Sequence, residues 1–249
     1  MNATAQPRYA VYYAPPADAD LWRLAQAWLG RDCVSDTARE QPALAGWTAA
    51  EISAATESPR HYGFHATLKA PFRLAPGHSL ADLRDALSAL AARSQPFEAP
   101  PLRLSTIGSF IALTLSAPSP EMQAMADTAV QDLDGLRAPI TDTEVARRLR
   151  GGLTPRQEAL LRRWGYPYVL EEFRFHMTLT GSIGVTERRE RLQAQLVVLF
   201  RPVLGDPVPV REICLYSQAD RDRPFRLAER FRLGSEAAEC HPAQGQTSA

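Results

Sequence analysis

Cysteine is scarce, neither sign of charge is in excess, and no long apolar run occurs. Each shortage excludes something. The three cysteines, Cys33, Cys214 and Cys240, are widely spaced and include no Cys-x-x-Cys pair, which argues against a disulfide framework and a zinc site and suits a reducing compartment. Arginine plus lysine and aspartate plus glutamate both total 28, giving a net charge of zero. A chain built to hold long nucleic acids through its overall field would carry an excess of basic residues. The opening MNATAQPRYAVYYAPP lacks the basic stretch and apolar run of a signal peptide. No segment approaches the roughly 18 uninterrupted apolar residues that span a bilayer. A cytoplasmic protein with no membrane partner is expected, and nothing in the sequence fixes an oligomeric state.

The 249 residues are 45% hydrophobic, enough for a core in one large domain or two small lobes sharing a cleft. Residues 8–14 read as a strand and 18–29 as an amphipathic helix, whereas 31–60 look irregular. A strand over 63–74 is interrupted by Pro71, and 79–94 is a helix with Ser79 as its N-cap. Residues 102–106 and 110–115 read as a hairpin around Gly108, and 121–136 as a helix. The stretch 140–168 reads as an arginine-rich insert of two short helices and a turn. Strands over 173–180, 210–217 and 225–233 and a helix over 187–200 complete the pattern, and a polar tail over 234–249 reads as disordered. This mixture predicts a single α+β unit over 1–233, with two lobes and approximate internal symmetry.

The chemistry lies in two matching segments, Gly63-Phe64-His65-Ala66-Thr67-Leu68-Lys69-Ala70 and Arg174-Phe175-His176-Met177-Thr178-Leu179-Thr180-Gly181. Alternation along a strand turns Phe64, Ala66, Leu68 and Ala70 to one side and His65, Thr67 and Lys69 to the other. In the second segment Arg174, His176, Thr178 and Thr180 share the outer face. If the strands flank one cleft, two imidazoles and two hydroxyls converge. Cleavage of a phosphodiester needs one proton removed from the attacking oxygen and one given to the departing oxygen. Two histidines, with unperturbed pKa values of about 6.5, can do both near neutral pH. Threonine hydroxyls can donate to the non-bridging oxygens, and no metal or other cofactor is required.

Paired His-x-Thr motifs, one in each half, resemble the signature of the two-histidine phosphoesterase superfamily. The longer strings YGFHATLKAPF and WGYPYVLEEFRFHMTLTG are similar to a bacterial branch named for phosphonate metabolism and associated with phosphonate operons. The resemblance runs from residue 8 to about residue 233. It implies a bilobal fold of two pseudo-symmetric β-sheets flanked by helices, with the site in a central groove. It also implies that His65, Thr67, His176 and Thr178 are the catalytic residues.

Secondary candidates have two readings each. Lys69 and Thr180, which occupy equivalent positions, are phosphate contacts or, for Lys69, a solvated cation. Arg174 binds substrate or pairs with Glu171 or Glu172. Tyr168, with Trp164, forms an aromatic wall or a packed turn, and the arginines of the insert form a phosphate-gripping lid or a solvated face. His61 and His65 do not read as a metal pair, because no third ligand is evident and His61 is not placed on a helix. The leading expectation is a metal-independent cyclic phosphodiesterase acting on a small phosphorylated substrate. A ribose cyclic phosphate of phosphonate breakdown is implied by the resemblance alone. The alternatives are an RNA end-processing phosphodiesterase or ligase acting on 2′,3′-cyclic or 2′–5′ linkages, and a phosphate-binding protein without turnover.

Overall fold

The computed structural model of the protein describes residues 6–234. The expected tail, with Cys240 and His241, lies outside the described residues apart from Gly234. In the first half, β1 (Arg8–Tyr13), α1 (Asp20–Leu29), β2 (Arg31–Asp32), β3 (Thr37–Ala38) and α2 (Ala49–Tyr62) lead to β4 (Ala66–Phe72). Then come α3 (Leu80–Arg93), β5 (Phe97–Ala99), the hairpin β6 (Leu102–Ile107) and β7 (Phe110–Leu115), and α4 (Pro120–Asp132). The insert forms α5 (Asp142–Leu149) and α6 (Pro155–Trp164). Finally β8 (Met177–Thr178), α7 (Thr186–Phe200), β9 (Val208–Val210), β10 (Glu212–Gln218) and β11 (Arg226–Arg232) close the fold.

The fold is α+β. Its main sheet has seven antiparallel strands in the order β11-β10-β1-β4-β8-β7-β6. The two expected sheets therefore meet edge to edge. Four strands end at β4, three begin at β8, and the seam is the single registered pair Ala66 and Met177. Strand β1 (RYAVYY) is buried along nearly its whole length, as a central strand covered on both faces should be. A continuous core crosses the seam, with Trp28, Phe64, Met177 and Leu179 fully or almost fully buried. Trp28 Nε1 donates to the Leu179 carbonyl at 2.8 Å and ties α1 to the strand that carries the second motif.

Two departures from the sequence reading bear on the site. Residues 31–60 are irregular only in part: α2 occupies 49–62, opened by a reciprocal capping box in which Thr48 accepts from the Glu51 amide and the Glu51 carboxylate accepts from the Thr48 amide. Ile52 is its one large aliphatic side chain, too little to show an apolar stripe, and Pro59 lies near its end. His61 and Tyr62 thus sit in a last helical turn. The second-motif strand is shorter than expected, only Met177–Thr178. A 3-10 turn at Leu170–Glu172, entered through Leu170 at φ 53°, delivers the chain, and the Arg174 carbonyl turns to the His176 side chain.

The insert is tied to the chain just past the end of β4. Helix α6 packs Leu160 against Val130 and Val169, with Trp164 and Tyr166 alongside. Helix α5 is fixed by Glu144, which receives a two-pronged contact from Arg73, just past β4, at 2.8 and 3.0 Å and a third from Arg221 at 2.9 Å. Arg73 is the main reason that the Glu144 carboxyl is held well below its ordinary value of 4.5. A lowered carboxylate pKa stabilises the fold above the unfolded value and loses that contribution as pH falls toward the folded one. Replacing Glu144 by Gln should therefore cost about 1–3 kcal/mol at neutral pH in denaturant unfolding. The gap between variant and wild type should shrink below about pH 4.5; equal midpoints at pH 7 would remove this clamp from the account.

Candidate active site

The antiparallel pairing of Ala66 with Met177 sets the site. One step outward in that register, His65 faces Thr178 and Thr67 faces His176, and cross-strand neighbours of this kind have Cβ atoms about 4.5–5.5 Å apart. All four side chains line one cavity of about 720 Å³. Both rings are held in the same way. His65 Nδ1 lies 3.0 Å from the carbonyl oxygen of Gly63, and His176 Nδ1 lies 2.8 Å from that of Arg174, each two residues upstream. A carbonyl only accepts, so each ring carries a proton on Nδ1 and leaves Nε2 for the cavity.

Gly63 makes the first of these contacts available. It ends α2 at φ 80°, a conformation that side-chain-bearing residues rarely adopt, and an added Cβ would meet Cys33 Cβ at 2.8 Å. Tyr12 of β1 then stacks on the His65 ring, with centroids 3.7 Å apart and planes 17° from parallel. Thr67 Oγ1 lies 3.3 Å from His65 Nε2, so the hydroxyl donates where a substrate proton would sit. Burial is the main cause that pushes the His65 pKa down to about 4; the Gly63 carbonyl opposes the shift and the positive charge of a nearby His176 adds to it.

Comparison with known proteins supports one assignment. Residues 67–226, more than half the chain, match the family described as "Protein of unknown function (DUF1045)". The chain belongs to this family. The matched span contains Thr67, His176 and Thr178 and begins two residues after His65. The chain is 39% identical over 183 residues to a Janthinobacterium sp. (strain Marseille) protein named ribose 1,5-bisphosphate phosphokinase PhnN, covering 74% of this chain and 40% of that protein. It is 38% identical over 220 residues to a Laribacter hongkongensis (strain HLHK9) protein of the same name, covering 88% and 50%. The chain thus spans half or less of these relatives. Among solved structures, E. coli LigT complexed with NADP+ aligns over 94% of this chain and 100% of that one, at 17% identity and a TM-score of 0.40. So loose a superposition decides nothing about the reaction.

In this DUF1045 protein the four motif residues come together, but two secondary candidates do not join them. A β-bulge at Leu68 explains Lys69: Tyr12 pairs with Thr67 and Val11 with Lys69, so two steps on β4 match one on β1 and the alternation slips. Thr67 and Ala70 face the cavity, while Lys69 is buried with Nζ 2.8 Å from the Val130 carbonyl and 3.4 Å from Asp134. Burial lowers its pKa to about 8. Thr180 lies beyond the end of β8, also buried, and its hydroxyl accepts from the Ile111 amide at 3.0 Å. Arg174 is exposed and, among the described residues, pairs with neither Glu171 nor Glu172, which bind Arg156 and Gln157. It lines a second cavity of about 440 Å³ beside His176, with Phe110, Tyr166, Tyr168 and Phe173.

Several wall residues escaped the sequence reading. Tyr12 and Arg8 come from a segment that reads simply as a strand, and Arg221 lies in the β10–β11 turn. His61 lines the cavity with Nε2 3.0 Å from the Gln218 side-chain nitrogen, which donates to it. Among the described residues no group of three or more His, Cys, Asp or Glu side chains could hold a metal ion. No helix among them is long and apolar enough to cross a membrane.

The tautomer lock and the burial of His65 are open to a direct measurement. At about pH 5.5, where an ordinary histidine is mostly charged, ¹⁵N shifts of His65 should report a neutral ring protonated on Nδ1. A His65 that titrates near 6.5, or carries its proton on Nε2, contradicts this geometry.

Proposed function

We propose that the protein opens a small cyclic phosphodiester by metal-independent acid–base catalysis, with His65 as the base and His176 as the acid. One observation carries this reading: both rings are fixed through Nδ1 to a carbonyl two residues upstream, with both Nε2 atoms on one cavity. His65 Nε2 removes a proton from water, and the oxygen attacks phosphorus. The P–O bond to the sugar breaks, and His176, in its imidazolium form, protonates the departing oxygen from Nε2. The lowered pKa of His65 favours it as the base, because an unprotonated Nε2 persists through neutral pH. Thr67 and Thr178 donate to the non-bridging oxygens, where charge accumulates. The site matches the His-x-Thr signature of the superfamily that the sequence resembles.

The substrate we propose is a ribose cyclic phosphate. The name borne by both relatives refers to ribose phosphate chemistry, which supports it. Phosphoryl transfer of the P-loop kind is not supported for this chain. It has no G-x-x-x-x-G-K-[ST] run, and its one lysine, Lys69, is buried in β4. A second reading, cleavage of a 2′,3′-cyclic phosphate at an RNA or nucleotide end, is favoured by the aromatic cavity beside His176, where a base would stack on Phe110 or Tyr168.

Hydrolysis of a panel of cyclic phosphates with EDTA present tests the proposal. Wild type should turn over at least one sugar cyclic phosphate, and His65→Ala and His176→Ala should each lower kcat/KM by about 10²- to 10⁴-fold. The base must be unprotonated, so the acid limb of the kcat/KM profile should fall through about pH 4 rather than near 6.5. Activity abolished by chelator would redirect the mechanism to a metal. Tight binding without turnover would leave a phosphate-binding protein.

A further inference from the structure

The cavity that holds the two histidines has a strongly basic wall that the chemistry above does not use. Arg8, Arg147, Arg148 and Arg221 all line it, and no Asp or Glu does. This is a local imbalance, since the whole chain is neutral. The four come from three separate places: the start of β1, the last turn of α5 and the β10–β11 turn. Their partners leave the charge largely uncompensated. Arg8 Nε donates to the neutral side chain of Gln218 at 2.7 Å, and Arg148 lies over the Tyr166 ring at 4.8 Å. Among the described residues no carboxylate pairs with Arg8, Arg147 or Arg148. Arg221 reaches Glu144, but that carboxylate is already engaged by both prongs of Arg73.

The arginines also repel one another. Burial lowers the Arg8 pKa, and the charges of Arg221 and Arg147 lower it further, so these groups lie within electrostatic reach of one another. The wall also extends beyond the histidines. Arg8, Arg147 and Arg148 continue into a neighbouring cleft with Arg73, Arg137 and the Arg73-bound carboxylate of Glu144, which neither histidine lines. Nor is the placement of α5 incidental, because the Arg73–Glu144–Arg221 bridge fixes the helix that carries Arg147 and Arg148. Like charges gathered in a partly desolvated cavity are stabilised by an anion, and guanidinium forks match the oxygens of a phosphate.

Resting on the phosphodiesterase reading, we infer that Arg8, Arg147, Arg148 and Arg221 form a second anion subsite, which binds a phosphomonoester carried by the substrate away from its cyclic diester. Such a group bears a charge of about −1.5 to −2 at pH 7 and three acceptor oxygens. The subsite selects cyclic phosphates that bear this second phosphate and orients the diester between His65 and His176.

Two measurements on the full chain test this. In the first, kcat/KM is compared for ribonucleoside 2′,3′-cyclic phosphates with and without a 5′-phosphate. Wild type should prefer the 5′-phosphorylated member by roughly ten- to hundred-fold, and Arg147→Ala/Arg148→Ala should erase most of that ratio. The single variants Arg147→Gln and Arg148→Gln serve if the double variant does not fold by thermal unfolding. In the second, calorimetry with ribose 5-phosphate, which lacks the diester, should show binding that weakens by a similar factor in the same variants. Equal rates on both substrates in wild type, or a preference untouched by the substitutions, overturns the subsite. If no diester is hydrolysed at all, the phosphodiesterase reading fails separately and the titration decides: weakened binding supports the subsite, and unchanged binding overturns it.

Discussion

The candidate site depends on one short interaction made twice, an imidazole Nδ1 donating to the carbonyl two residues before it. Without it a histidine on a strand has two tautomers and a free ring, and its Nε2 points nowhere in particular. With it the proton is held on one nitrogen, the ring plane is set, and the other nitrogen is presented to the cavity. The surrounding structure supplies those carbonyls. Gly63 turns the end of α2 through a left-handed conformation, and the turn at Leu170–Glu172 brings Arg174 to the start of β8.

The second constraint is the seam. Two half-sheets that share only the Ala66–Met177 pair could slide or separate, and a one-residue slip would put the histidines on opposite faces. The register is held by burial on both sides of the seam, where Ala66, Met177 and Leu179 are excluded from solvent, and by Trp28, whose indole nitrogen bonds across to the Leu179 carbonyl. The geometry of the candidate site and core packing are therefore the same problem here. The residues between the histidines and threonines are core, and the histidines and threonines are what the core leaves facing the cavity.

Around this pair the environment is asymmetric although the motifs are alike. His65 is stacked against Tyr12, whereas His176 has Phe110 at 5.9 Å and lines the aromatic cavity as well. Arginines from β1, the β10–β11 turn and the insert complete the wall, and Glu144 ties the insert to Arg73 and Arg221. Two copies of one motif thus acquire different neighbours, and burial lowers the pKa of His65.

How much of this was legible in the sequence depends on the range of the interaction. Strand alternation and the repeated Phe-His-x-Thr-Leu frame identified both motifs, because a period of two is a local property of the backbone. The Ser79 and Thr48 helix starts are equally local, though the second was obscured by a helix with one large aliphatic side chain, Ile52, and with Pro59 near its end. Lys69 and Thr180 were misplaced for a non-local reason. The bulge at Leu68 exists only in the pairing of β4 with β1, and the Thr180 hydroxyl is claimed by an amide on β7. Likewise Arg8, Arg221 and the insert arginines lie more than 200 residues apart at the extremes, and only the closed sheet brings them to one wall. The sequence by itself determined which residues could do the chemistry, since composition and periodicity belong to the chain. The tertiary structure alone decided which of them meet and which nitrogen faces the cavity, because register, tautomer and burial are set by groups distant in the chain.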